Sequence, residues 1–508
     1  MRKSIFIILS IFLIVGVLSA CSSGGSSGDQ NKNKQLVIGI PSDAATLLAD
    51  TAVDSATDVQ VRNIYDPLIK RDVSGNFKPW LAKSWRAVND HTWEFNLRKN
   101  VKFQNGKPFN ADSVKGSIEY ILNKSNKSGY LSRWAAVKQV KVINDYKVQI
   151  ITSTPYPTFL HRVADDLLIM EPNYLKKAGL KKAATKPIGT GPYQVQQWSR
   201  NQSLKLKANN QYWAGKPKIQ KAEFRYIPEF SSRLSSFMNS EVDLFDNVPV
   251  DSVKQIKGSA NGKIEQAKTA RVNYIAFNTF KKSPIQNQKV RQALNYAVNV
   301  PDLLKTQLNG YGVRITGPLA ANNQDYVQTS GYAYDPDKAI QLLKKAGYDP
   351  KQLKLTLDTP NGRYPMDKEV AQAVAAQLAK IGVTVNVKVN EWQSYLSKIM
   401  KHQEGDLFLL GWGPSFEGQT TIQNLFTKAA PFSSFYDPQV ESNINKALPL
   451  FNEKTRKAAY GEIQKQLVEK AAWIPLWEQE NIYAVNKNLN FTPRVDETIQ
   501  IFNMSWKK

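Results

Sequence analysis

The sequence predicts an α/β protein built as several lobes, and three observations carry that expectation. Its 508 residues correspond to about three domains at roughly 150 residues each. Helical and strand periods alternate along the chain without a strict βαβ rhythm. The stretch 370–389 shows both periods side by side. Val370, Val374, Leu378 and Ile381 share one helical face, Gly382 interrupts, and Val383, Val385, Val387 and Val389 then alternate as a strand.

The other elements follow from equally local signals. Leu36–Ile40 is a short apolar run closed by Pro41, the mark of a buried strand. Thr92–Leu97 alternates around Trp93, Phe95 and Leu97, and Val101–Phe103 leads into a turn at Asn105-Gly106. Asn110 opens a helix through Val114, Ile118 and Ile121. Asp335-Pro336 caps another through Ala339, Leu342, Leu343 and Ala346, which Gly347 ends.

Residues 1–20 read as an export signal: Arg2 and Lys3, then an apolar run from Ile5 to Val17, then a small-residue site. Leu18-Ser19-Ala20-Cys21 resembles a lipobox, which implies that Cys21 carries a diacylglycerol. Two acyl chains anchor a protein where one does not. Residues 21–34 then form a lipidated flexible tether, with an r.m.s. reach of about 20 Å. The expected location is the extracytoplasmic face of the cell membrane.

Lys and Arg exceed Asp and Glu by 25. These positives are scattered, and no basic helix, phosphate loop or zinc module accompanies them, so the charge reads as a solvated face and not as a nucleic-acid site. One Cys and three His leave little material for a metal centre, and no metal or cofactor is expected. No nucleophile elbow, H-E-x-x-H, Walker loop or S-x-x-K set is present. His91, His161 and His402 read as surface or structural histidines, and Asp165-Asp166 as a charged loop or helix start. The balance favours binding over catalysis.

Four blocks carry a resemblance. They are PWLAKSW followed by HTWEFNLRKNVKFQNGKPFNADSVKGSIEYIL from Pro79 to Leu122; PIGTGPYQVQQW and NNQYWAGKPKIQKAEFRYI from Pro187 to Ile227; FNTFKKSPIQNQKVRQALNYAVN from Phe277 to Asn299; and YDPDKAIQLLKKAGY from Tyr334 to Tyr348. In this order they resemble the family 5 extracellular solute-binding proteins, the peptide receptors of ABC importers. The resemblance implies a two-lobed periplasmic-binding-protein type II fold with an extra inserted domain. Lobe I would comprise 35–65, 186–269 and 478–508, the inserted domain 66–185, and lobe II 270–477. It further implies a monomer that captures a peptide or other small solute and delivers it to permease subunits.

The same resemblance implies ligand contacts from Trp392 and Trp412. Where peptide receptors carry an Asp for the ligand ammonium, this chain has Ser415, and Glu417 would replace it if the loop turns inward. Arg363 would clamp a carboxylate beside an aromatic wall at Tyr364, and Thr46 lies where the family makes backbone contacts. A metal–chelate or glutathione-like cargo is the alternative. An envelope adhesin or chaperone and a secreted hydrolase are more distant readings.

Overall fold

The computed structural model describes residues 34–51 and 54–507. The apolar leader, Cys21 and the tether up to Asn33 lie outside the described residues. Among the described residues no helix is long and apolar enough to cross a membrane.

Two long antiparallel strands, Gly262–Phe277 and Trp473–Asn486, run through the middle of the largest sheet. To one side lie Leu244–Phe245, Leu36–Ile40, Lys221–Tyr226, Ser203–Ala208 and Tyr193–Ser199. To the other lie Leu407–Trp412, Lys354–Pro360 and Thr384–Asn390. The long pair is in register from Gly262 to Lys268, breaks, and resumes at Val272 opposite Glu478. A break of this kind bends a strand pair and sharpens its twist.

The helix-to-strand unit is present as helix Asp367–Lys380 and strand Thr384–Asn390, which pairs in parallel with Lys354–Pro360. Gly382 sits at φ +93°, a left-handed conformation that glycine adopts without a Cβ clash. The strand is the sheet's outer edge, so only Val383 of the alternating valines is fully buried and Val389 is 47% exposed. The Asp335 side chain caps helix Pro336–Lys345 at Lys338 N–H, and Asn110 and Ser113 form a reciprocal capping box on helix Ala111–Leu122.

A separate four-stranded antiparallel sheet orders Ala82–Asn89, Thr92–Leu97, Lys147–Thr152 and Val137–Asn144. Its faces bury Phe95, Phe103, Phe109, Trp134 and Phe159 in a core drawn from residues 68–169. A second core joins Leu36, Ile38, Tyr65, Phe224, Leu244 and Tyr483. A third, the largest, spans residues 272–477 around Tyr274, Leu357, Val374 and Trp473.

Glu404 lies buried in this last part, 2% exposed, and neither carboxylate oxygen has a hydrogen-bond partner among the described residues. Burial pushes its pKa up to about 7, with Asp358 adding and Lys398 and Lys281 opposing. The folded chain therefore keeps a proton that the unfolded chain releases near 4.5, so stability falls as pH rises across that window. Glu404→Gln is expected to stabilise the fold at pH 8 by on the order of 1–3 kcal/mol. It should change little at pH 4.5. Urea melts at both pH values check this, and equal effects at the two would refute it.

Candidate functional site

Strand Leu407–Trp412 is buried over five residues and its last, Trp412, emerges half-buried. The next residue, Gly413, has φ +126°, and a Cβ there would meet the Ala270 carbonyl at 2.7 Å, so only glycine lets the chain turn this tightly. Ser415 N–H then donates to that carbonyl at 3.2 Å, and its hydroxyl donates to Glu417 O at 3.1 Å. Trp412 packs edge-on against Phe432, with ring centroids 5.3 Å apart.

Trp392 starts helix Trp392–Ile399, whose cap is Glu391. Its ring meets Tyr364 at 6.1 Å in a T-shaped contact. The Arg363 guanidinium lies 5.0 Å from the centroids of both rings, within cation–π range, and donates to Ser55 Oγ at 3.3 Å. This loop hangs on one buried carboxylate. Asp367 accepts the backbone N–H of Gly362, Arg363, Tyr364 and Lys368 at 2.9–3.0 Å. Tyr364 also donates its hydroxyl to Gly411 O.

Trp392, Trp412, Arg363, Tyr364 and Ser415 all line one cavity of about 240 Å³, many times the ~15 Å³ that one water needs. It lies between the three cores. Asp54–Asp66 and Asp496–Phe502 come from one side, Pro67–Trp80 and Arg162–Asp166 from the separate sheet, and the tryptophan loops from the third part. Clefts between lobes are common places for small solutes.

Two expectations are corrected. Glu417 does not face the cavity: it is 1% exposed and caps helix Gly418–Phe426 by accepting Thr420 N–H at 2.9 Å. Its carboxylate also takes the Thr420 hydroxyl and the Arg162 guanidinium, the latter at 3.1 Å. Burial raises its pKa to about 7, against the pull of Arg162. Thr46 is not among the lining residues either. Its hydroxyl accepts Leu48 N–H, and the surrounding segment turns toward the separate sheet, where Asp50 accepts Leu168 N–H.

Asp165-Asp166 is not a solvated pair. Asp165 takes Arg71 through two bonds of 2.6 and 2.7 Å, and Asp166 takes both Arg133 and Arg162. Arg71 also donates to His161 Nδ1 at 2.9 Å. Burial and that guanidinium push the His161 pKa down to about 3, so the ring stays neutral, as a structural histidine should.

Sequence reasoning missed the ionic frame of the cavity. Arg271, 2% exposed, binds Glu497 at 2.6 Å and reaches Ser55 and the Gly411 carbonyl. Arg62 pairs with Asp58 at 2.7 Å. Asp66 receives Trp80, Tyr212, Thr190 and Trp213 at 2.7–3.0 Å, four neutral donors. Several of these bonds join separate parts of the protein, as does Thr158 to Gln419 at 2.6 Å. Among the described residues no three His, Cys, Asp or Glu converge to hold a metal ion.

Known proteins share this fold. The chain is 29% identical over 473 residues to the glutathione-binding protein GsiB of Salmonella typhimurium, covering 90% of this chain and 91% of that one. It is 28% identical over 441 residues to the nickel-binding periplasmic protein of Escherichia coli, with 81% and 83% covered. The ABC transporter-associated periplasmic binding protein DppA of Helicobacter pylori, solved with the peptide STSA, superposes with a TM-score of 0.85 at 25% identity, over 94% of this chain and 99% of that one. Residues 76–434 match the profile of the bacterial extracellular solute-binding proteins, family 5; the chain belongs to that family.

Proposed function

We propose that this solute-binding protein of an ABC importer captures short peptides in its cavity, as a lipid-anchored monomer on the extracytoplasmic face of the membrane, and hands them to the permease. The observation that carries the reading is the aromatic wall of Tyr364, Trp392 and Trp412 beside Arg363 on one cavity. Rings accept varied side chains, while a guanidinium fixes a carboxylate end bidentately. Lobe I (35–65, 186–269 and 478–508) and lobe II (270–477) close about the break between Lys268 and Val272, with the inserted domain 66–185 supplying a third wall.

A second reading keeps the role and changes the cargo to a glutathione-like solute or a metal chelate. It is favoured by the loop after Trp412, where Ser415 donates to a carbonyl and Glu417 is turned away. That turn offers no carboxylate to a peptide ammonium.

Mass spectrometry of the solute that co-purifies with the protein separates the two. A ladder of peptide masses supports the first, and a single non-peptide or metal-bearing mass replaces it with the second. Trp412→Ala is expected to weaken binding by about 10-fold, roughly 1.4 kcal/mol, with the fold intact. Unchanged affinity in calorimetry would remove Trp412 from the site. Cys21→Ala is expected to move the protein from the membrane fraction to the soluble one, and retention there would refute the anchor.

A further inference from the structure

The excess positive charge is unevenly placed. Between Glu171 and Glu223 the sequence has eleven Lys and Arg and no Asp or Glu. Four of these lysines, Lys207, Lys216, Lys218 and Lys221, lie at one end of the largest sheet and are exposed. Lys207 stands directly opposite Lys221 on the antiparallel strands Ser203–Ala208 and Lys221–Tyr226, and Lys216 and Lys218 lie on the connection between those strands. Their neighbours Leu206 and Ala222 turn into a core, so the alternation of a strand sends Lys207 and Lys221 out on the other face.

None of the four has a carboxylate partner among the described residues, and none lines the cavity. Like charges directly opposite each other weaken a strand pair, a repulsion that an external anion relieves. The nearby buried acids are already occupied. Glu223 accepts Arg225 and Gln35 at 3.0 and 2.7 Å, and Asp243 holds Lys34 at 3.1 Å and Asn486 at 3.0 Å. Lys487, the residue after Asn486, is exposed, and its ammonium donates only to the Ser259 and Ala260 carbonyls. Glu241, exposed two residues before Asp243, is an acid at this end and leaves the five lysines well in excess.

The chain enters the body at the same place. Leu36 pairs in parallel with Ala222, so Gln35 and Lys34, the first described residues, sit beside Lys221. Residues 21–34 have a reach of about 20 Å, and an acyl anchor on Cys21 would hold this end within that distance of the bilayer.

We propose that this end of the protein is a docking surface for anionic phospholipid headgroups, on which the tethered body rests. Each lysine brought to an anionic bilayer adds about 5-fold to the affinity. The tether raises the effective concentration of the surface, so a contact too weak to hold alone still orients the body. The surface is separate from the solute cavity, and its occupancy does not depend on the cargo.

The test uses residues 21–508 with Cys21→Ala, purified without acyl chains, so that the surface is read apart from the anchor. Its probes are vesicles of mixed phosphatidylglycerol and phosphatidylcholine, vesicles of phosphatidylcholine alone, and soluble polyphosphate. In cosedimentation at low salt the protein is expected to bind the anionic vesicles at least 10-fold tighter than the neutral ones, and to come off as salt is raised. Lys207→Gln, Lys218→Gln and Lys221→Gln together should lower that binding at least 10-fold with the melting temperature unchanged. Lys344→Gln, Lys345→Gln and Lys380→Gln together remove the same charge from exposed positions elsewhere and should lower it by about 3-fold at most. Equal loss in the two triple variants, or equal binding to the two kinds of vesicle, would overturn the proposal. So would no binding at all, or binding to polyphosphate but not to vesicles, which assigns the surface to a soluble polyanion.

Discussion

Glu417→Ala destabilises the protein by about 3–5 kcal/mol and weakens every ligand by the same factor, whether its amino terminus is free or acetylated. The carboxylate makes three contacts that alanine cannot replace: Thr420 N–H at the head of helix Gly418–Phe426, the Thr420 hydroxyl, and Arg162 across from the inserted domain. Losing the cap alone costs about 1 kcal/mol. Losing the ion pair leaves Arg162, 5% exposed, to share Asp166 with Arg133. Because Glu417 touches both closing walls and not the cavity, its removal favours the open form regardless of cargo. Urea melts read the first effect. Paired calorimetry with free and acetylated peptides reads the second, and selective loss for the free peptide would show that Glu417 reaches the ligand.

Asp367→Ala is expected to cost about 3 kcal/mol of stability and to weaken carboxylate-bearing ligands at least 10-fold. Its loss leaves four backbone N–H groups of the Arg363 loop and the following helix start without their acceptor. Burial pushes the Asp367 pKa up to about 6 even against those four bonds. The folded state therefore holds this proton more tightly than the unfolded one, and the contribution to stability declines between about 4 and 6 as pH rises. Asp367→Asn keeps one acceptor oxygen and should lose less of both. Equal ligand affinity in wild type and Asp367→Ala would show that the loop is positioned by its rings and not by this carboxylate.

The parts of the protein that the sequence disclosed are those with local signatures. Helix Pro336–Lys345 announces itself through Asp335, Pro336 and Gly347, and strand Leu36–Ile40 through five apolar residues and a proline. The convergence of Arg363, Trp392 and Trp412 on one cavity is not local; family resemblance pointed to the two tryptophans, and only its place in a loop before a helix pointed to Arg363. Arg271–Glu497 and Arg71–Asp165 join residues 226 and 94 apart, and no periodicity encodes such pairs. Glu417 was misread because Glu is not a common helix cap. The acid beside a pocket motif then looked like a ligand group, when it is the first stop of a helix.

The two long central strands carry a consequence for how the chain is made. Thr269 bonds Gln479, 210 residues on, Asn486 reaches back 243 residues to Asp243, and Ile499 accepts from Asn63 across 436. The largest sheet therefore lacks one of its inner strands until almost the last stretch of polypeptide has been synthesised. Contacts this remote in sequence form slowly, because chain-closure entropy precedes any reward. Refolding of the intact chain is therefore expected to be slow, and a chain cut before Trp473 should fail to complete this sheet.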